Sequence, residues 1–295
     1  MRAEEFIQFL ASEKHYSHHT LIAYRNDLSQ FFSFTESQFG LNEVSLSDHQ
    51  IIRSWLAHLV QSGTNPRNVN RKLSTLKSYF RFLIKRGVIA ENPMQRVVAP
   101  KVAKKLPAFV SQAKMDELFN SIGFEPGFHG MRSRMVMEML YATGMRVSEL
   151  TALKHNDIDT SSQALRVIGK RNKQRIIPFT SHLQQVIKAY IEVKESHLGP
   201  VNPDDYFISS IKGKKAYPKL IYNIVTQSLA LVTTQTRKSP HIIRHTFATG
   251  MLNNGADLNA IKELLGHASL AATQVYTHNT IERIKRIYQQ AHPKA

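Results

Sequence analysis

In 295 residues, one stretch reads convincingly as β-structure. The runs Ala164-Leu165-Arg166-Val167-Ile168 and Arg175-Ile176-Ile177-Pro178-Phe179 are rich in β-branched residues. Gly169 to Gln174 joins them and predicts a hairpin loop. Tyr206-Phe207-Ile208 is the candidate for a third strand. Elsewhere the apolar residues recur at helical spacing. The expected fold class is therefore mainly α, with a small antiparallel sheet in the second part of the chain.

The first hundred residues read as four helices. Phe6, Ile7, Phe9 and Leu10 mark the first, and Leu21, Tyr24, Leu28, Phe31 and Phe32 the second, with Ser17 or Thr20 as its cap. Ser47-Asp48 precedes the third, which carries Ile51, Ile52, Trp55, Leu56 and Leu59 and stops at Ser62-Gly63. Pro66 suits the first turn of the fourth, where Val69, Leu73, Leu76, Phe80 and Leu83 form an apolar stripe. Pro100 and Pro107 then disfavour helix, so residues 97–110 read as a linker between a helical domain, 1–96, and a second domain, 111–295. In the second domain, helices are expected over Met115–Ile122, Arg132–Tyr141, Leu183–Val193, Lys219–Leu231 and Asp257–Leu265. Another begins at Arg146 after the break at Thr143-Gly144.

Charge narrows the partner. The formal net charge is +17, and both parts contribute: residues 1–100 hold 12 basic and 8 acidic groups, residues 101–295 hold 27 and 14. A polyanion can thus be gripped from two sides. The sharpest imbalance is on the fourth helix, where Arg67, Arg71, Lys72, Lys77, Arg81, Lys85 and Arg86 fall within twenty residues that contain no acid. Such a face repels itself unless a polyanion neutralises it. Lys104 and Lys105 in the linker extend the basic surface. No apolar run is long enough to span a bilayer, and residues 1–6 have no signal-peptide core. The absence of Cys fits a reducing cytoplasm.

Chemistry concentrates near the end. On a helix through His241-Ile242-Ile243-Arg244-His245, positions 241, 244 and 248 share one face, while Ile243, Phe247 and Met251 share another that can be buried. An imidazole and a guanidinium one turn apart, followed by His267 and Tyr276, suit a phosphodiester: Arg forks phosphate oxygens, His moves protons near neutral pH, and Tyr is a nucleophile. His241 and His245 also have the i, i+4 spacing of zinc ligands, but Ile242 stands where the zinc-protease pattern needs Glu, so no metal site is assigned. Arg146 sits beside a helix start, where an anion is favoured, and Glu149 one turn on can orient its guanidinium. Within the hairpin loop, Lys170 and Lys173 are both available.

Arg146 in Ala142-Thr143-Gly144-Met145-Arg146-Val147-Ser148-Glu149-Leu150, Lys170 after Gly169, the box from His241 to His245, Leu264-Leu265-Gly266-His267 and Tyr276-Thr277-His278 occur in one order. In that order they resemble the tyrosine recombinase (phage integrase) family, over the whole chain. No extra module precedes the helical part, which makes the resemblance one to the Xer type. The resemblance implies an N-terminal four-helix, SAM-like core-binding domain and a C-terminal α+β catalytic domain. It implies that Arg146 and Arg244 clamp the scissile phosphate and that Tyr276 attacks it to form a 3′-phosphotyrosyl link. Lys170, favoured over Lys173 by the family pattern, would be the general acid. His241 would accept the tyrosine proton or hold the phosphate, and His267 would hydrogen-bond the phosphate. His245 is given a structural role. Neither metal nor other cofactor is implied. The implied partners are a double-stranded DNA recombination site, a homo- or heterotetramer with a sister recombinase, and a DNA translocase. The C-terminal helix, with Ile281, Ile284, Ile287 and Tyr288 on one side, is expected either on its own domain or donated to the next protomer. Chromosome dimer resolution is the expected role; integration of a mobile element, a DNA-binding protein that does not cut, and a type IB topoisomerase are the alternatives.

Overall fold

The computed structural model describes residues 2–40, 48–102, 109–169, 173–266 and 278–293. The chain divides into two compact units, Met1–Lys105 and Leu106–Ala295.

The first unit contains α1 (Arg2–Ser12), α2 (His18–Phe39), α3 (His49–Gln61) and α4 (Pro66–Lys85), followed by a short 3₁₀ turn at Pro93–Arg96. Local chemistry sets the boundaries. The Ser17, Asp48 and Asn65 side chains accept first-turn amides of α2, α3 and α4, filling donors that a helix start leaves open. The apolar stripe of α4 packs with Phe6, Leu28, Phe31, Ile52 and Trp55 into one core. Aromatic rings fill its centre, with Phe31 and Trp55 centroids 5.0 Å apart and Phe6 edge-on to Tyr79 at 5.4 Å.

One polar cluster lies inside this core. Asp27 is buried and accepts from both outer nitrogens of Arg71, from Lys72 at 3.3 Å and from Thr75 at 2.8 Å. Lys72 also donates to Gln30. A buried carboxylate is tolerated only when paired in this way. The arrangement corrects one expectation: Lys72 is 7% exposed and ties α4 to α2, so it offers no charge to an external polyanion.

In the second unit, α5 (Gln112–Asp116) runs into a wider π turn, Glu117–Ile122, and α6 (Gly127–Thr143) follows. The second half of α6 is buried on every side, from Met135 to Thr143, which makes it the central helix around which α8, α9 and α10 pack. After α7 (Val147–Ala152) comes the sheet: β1 (Ile158–Asp159), β2 (Ala164–Ile168) and β3 (Gln174–Pro178), antiparallel and in that order. Register pairs Ile158 with Leu165, Leu165 with Ile177 and Val167 with Arg175. The hairpin is as expected; the third strand is not. Tyr206 makes only an isolated bridge to Lys154, and the outer strand is the two-residue β1. The Phe207 amide is taken by the Leu153 carbonyl, and its ring packs edge-on to Tyr190, so this segment serves as core filler and not as a sheet edge.

The remaining helices are α8 (Ser181–Leu198), α9 (Pro218–Val232), α10 (Pro240–Asn253), α11 (Leu258–Leu265) and α12 (His278–Ala291). α12 packs on its own unit. Tyr288 is buried and donates to the Ala142 carbonyl at 2.8 Å, and Asn254 donates to the Ala291 carbonyl at 2.9 Å. Among the described residues no helix is long and apolar enough to cross a membrane.

Candidate active site

The site begins where α6 stops. Gly144 ends that helix in the left-handed conformation, φ 58°. No other residue fits: a Cβ there would stand 2.5 Å from the Phe247 ring and 2.8 Å from Leu265. Two residues later Arg146 caps α7. Its backbone N–H donates to Glu149 Oε2 at 2.8 Å, and its guanidinium donates to Oε1 at 2.7 Å. The orienting role expected of Glu149 is therefore present.

Arg244 reaches the same place from α10. The helix buries Ile242, Ile243, Thr246, Phe247 and Met251 and leaves Arg244 half-buried and His241 exposed. The two faces read from the sequence are thus separated as expected. Arg244 donates to the Gly144 carbonyl and to the Leu265 carbonyl, both at 2.6 Å. Arg146 donates to the next carbonyl along, Gly266, at 3.2 Å. A third arginine, Arg175 of β3, donates through Nε to the preceding one, Leu264, at 2.8 Å. Three guanidiniums therefore meet three consecutive carbonyls at the end of α11. Those carbonyls stand at the negative end of the α11 dipole, where cations are favoured.

The arrangement has depth. Glu149 and Arg175 lie sealed beneath, with side chains 2% and 5% exposed, and are joined by a two-bonded fork at 2.9 Å on each side. Arg146 lies above them with its side chain 26% exposed. Burial alone would raise the Glu149 carboxyl. Hydrogen bonds and charge from Arg175, then the bonds from Arg146, outweigh burial and hold it at about 2. The Arg244 guanidinium is pushed down to about 10, first by burial and then by the Arg146 charge beside it; Arg175 adds to this and Glu149 opposes it. Glu149 thus bonds Arg146 and Arg175 and acts by charge on Arg244, and three guanidiniums gathered about one carboxylate favour an added anion.

Lys170, in the loop between β2 and β3, His267, directly after Gly266, and Tyr276, between α11 and α12, lie outside the described residues. Lys104 and Lys105 do as well. Lys173 is exposed, and its carbonyl accepts from the Gly169 amide at 2.8 Å to close the hairpin. His245 is exposed on α10. Among the described residues no three His, Asp or Glu side chains stand together as a metal would require.

On α4, Arg67, Arg71, Lys77, Arg81 and Lys85 are exposed, but they differ in what holds them. Arg71 is engaged by Asp27, and Lys85 lies 3.6 Å from Glu13 and over the Phe9 ring. Arg175 belongs to none of the motifs that mark Arg146 and Arg244 in the sequence. Its signal was a charged residue in the inward phase of an alternating strand, level with Val167 and two places from Ile177.

The phage integrase family model matches residues 109–283, and the N-terminal SAM-like domain of phage integrases matches residues 3–87. The tyrosine recombinase XerC of Chlorobaculum tepidum is 37% identical, over 99% of this chain and 94% of its own length. Among solved structures, the XerH site-specific recombinase bound to a palindromic difH substrate shares the fold with a TM-score of 0.71, at 18% identity over 96% of this chain and 83% of its own. A lambda integrase tetramer bound to a Holliday junction does so with a TM-score of 0.65, at 19% identity over 93% and 79%.

Proposed function

The chain belongs to the phage integrase family of tyrosine recombinases, and from that premise we propose that it is an Xer-type site-specific recombinase whose nucleophile is Tyr276. The observation that carries the reading is the convergence of Arg146 and Arg244 on the turn Gly144 and the end of α11, at bonds of 2.6 to 3.2 Å.

In this reading the scissile phosphate sits over Arg146 and Arg244. Two guanidiniums bind its non-bridging oxygens and stabilise the charge that grows as phosphorus becomes five-coordinate. The Tyr276 oxygen attacks phosphorus, the P–O5′ bond breaks, and the 3′-phosphate becomes a tyrosyl ester. The phenol proton passes to His241, and Lys170 gives a proton to the departing 5′-oxygen. An unperturbed phenol has a pKa of about 10, so the adjacent cations lower the cost of the attack. His267 donates a hydrogen bond to the phosphate. A 5′-hydroxyl from a second duplex then reverses the steps. Bond energy is conserved in the ester, and no nucleotide hydrolysis is required.

The exposed cations of α4, Arg67, Lys77 and Arg81 foremost, are proposed to grip the duplex backbone, with the first unit as the core-binding domain, 111–295 as the catalytic domain and 97–110 as the linker. Likeness over nearly the full length of a XerC recombinase supports chromosome dimer resolution as the role, in the cytoplasm. The lambda integrase tetramer supports a tetramer on DNA, made of this chain alone or with a sister recombinase, and a DNA translocase acting on that complex belongs to the same reading.

The test is a suicide duplex nicked near the cleavage point. The chain should form a denaturant-stable adduct with the 3′-phosphate, and Tyr276→Phe should form none while binding DNA equally well. Adduct that persists in Tyr276→Phe would sink the assignment.

A further inference from the structure

We infer that Arg175 is a positioning residue of this site: it fixes Glu149 and the end of α11, and through them the guanidiniums of Arg146 and Arg244. The inference rests on the recombinase reading only for what those guanidiniums hold.

Arg175 faces the core side of the sheet and is 4% exposed. A buried ion pair is seldom the most stable filling for such a place, since apolar residues of similar volume often serve equally well or better. The question is what the charge does there. Three of its donors are committed, each to a different constraint. Nη1 and Nη2 form the two-bonded fork with Glu149, which leaves that carboxylate one orientation. Glu149 then has both oxygens turned to Arg146 as well, one to its backbone and one to its guanidinium. Nε takes the Leu264 carbonyl, and the next two carbonyls hold Arg244 and Arg146.

Gly266 completes the seat. Its φ is 63°, and a Cβ would come within 3.0 Å of Arg175 Nη1, so the backbone turn rests against the guanidinium. A displacement of Arg175 is therefore transmitted to Arg146 by two routes and to Arg244 by one. The same strand leaves the hairpin one residue earlier at Gln174, next to the Lys173 carbonyl that closes the loop. One side chain thus fixes the hairpin strand, the start of α7 and the end of α11 to a common point.

A residue that only filled the core would affect folding and nothing else. A positioning residue also leaves a mark on its neighbours. Glu149 is faced by Arg146 from the start of α7, by Arg175 from β3 and by the charge of Arg244 from α10. Removing the largest of these influences should let its carboxyl titrate at a higher pH.

The experiment uses the full chain with Arg175→Lys, which keeps the charge but loses the fork, and with the uncharged pair Arg175→Met/Glu149→Gln, which keeps the fold if the lysine variant does not. NMR of the free protein follows the Glu149 carboxyl, assigned by its loss in Glu149→Gln, and rotation of the Arg146 guanidinium. In Arg175→Lys the carboxyl should titrate higher and the Arg146 guanidinium should rotate freely, and in the pair Arg146 should rotate more freely than in Glu149→Gln alone. Single-turnover cleavage of the suicide duplex should fall about 100-fold, the scale of an ångström-level misplacement, with DNA affinity unchanged. In an Arg146→Ala background, Arg175→Lys should slow cleavage by much less than about 100-fold, the remainder acting through Arg244. An Arg146 as ordered in Arg175→Lys as in the parent, or as mobile in Glu149→Gln alone as in the pair, or losses that multiply in full in the double variant, would overturn the inference. Should the parent chain form no adduct, the recombinase reading falls, while the NMR result still decides the positioning role.

Discussion

Glu149 shows how far one buried carboxylate can shape a site. Its carboxyl, held at about 2, lies below the ordinary value near 4.3 for an unfolded chain. A depressed folded value means that the ionised form stabilises the fold. That contribution is complete above the unfolded value and is lost as pH falls through the folded one. The second unit should therefore lose stability from about pH 4.3 down to about pH 2, as denaturant melts at stepped pH would record. Glu149→Gln should flatten that window, although the variant is less stable at neutral pH because Arg175 then lies buried without a counter-charge. A window of equal depth in both proteins would show that Glu149 is not the group responsible. The residue was legible in the sequence as a partner for Arg146, one turn away on the same helix. Its second partner was not, because Arg175 is 26 positions distant and reaches it from β3.

At the scale of the element, α4 shows that a charge run need not act as a unit. Periodicity gave the helix and its apolar stripe correctly, and Pro66 marked its first turn. The basic residues looked equivalent because spacing reports which way a side chain points and not what it meets. Packing against α2 divides them: Lys72 turns inward to Asp27 and Gln30, while Lys77 and Arg81 stay in solvent. Lys77→Ala and Arg81→Ala should each weaken binding to any duplex and reduce the log–log salt slope by about one phosphate contact. Lys72→Met should leave the slope unchanged and lower the melting temperature of the first unit instead. Fluorescence anisotropy across a salt series separates the two outcomes. A slope that drops equally for Lys72 and Lys77 would return Lys72 to the DNA face. The sheet gave a similar lesson, since Tyr206-Phe207-Ile208 has strand composition but its ring and carbonyl are used by α8.

The whole molecule is two cores on one chain. The first gathers α1 to α4, and the second wraps α6, each closed by its own apolar residues. A fragment of residues 1–102 should therefore melt cooperatively by itself and bind DNA without cutting it, leaving adduct formation to the remainder. A fragment with no cooperative transition would show that the first core is incomplete alone. Amino-acid order determined the mainly helical class, the hairpin, the caps and the two faces of α10, because these depend on neighbours within a turn or a strand. It also marked Arg146 and Arg244 each as suited to an anion, and the family resemblance paired them. Tertiary structure decided the rest: that Arg175 belongs beneath that pair, that Lys72 belongs to the core, and that α12 covers its own unit. These outcomes rest on contacts between residues far apart in the chain, such as Arg175 with Leu264 and Tyr288 with Ala142. The free energy of burying a charge or a phenol is set by such distant partners, and no local pattern records who they are.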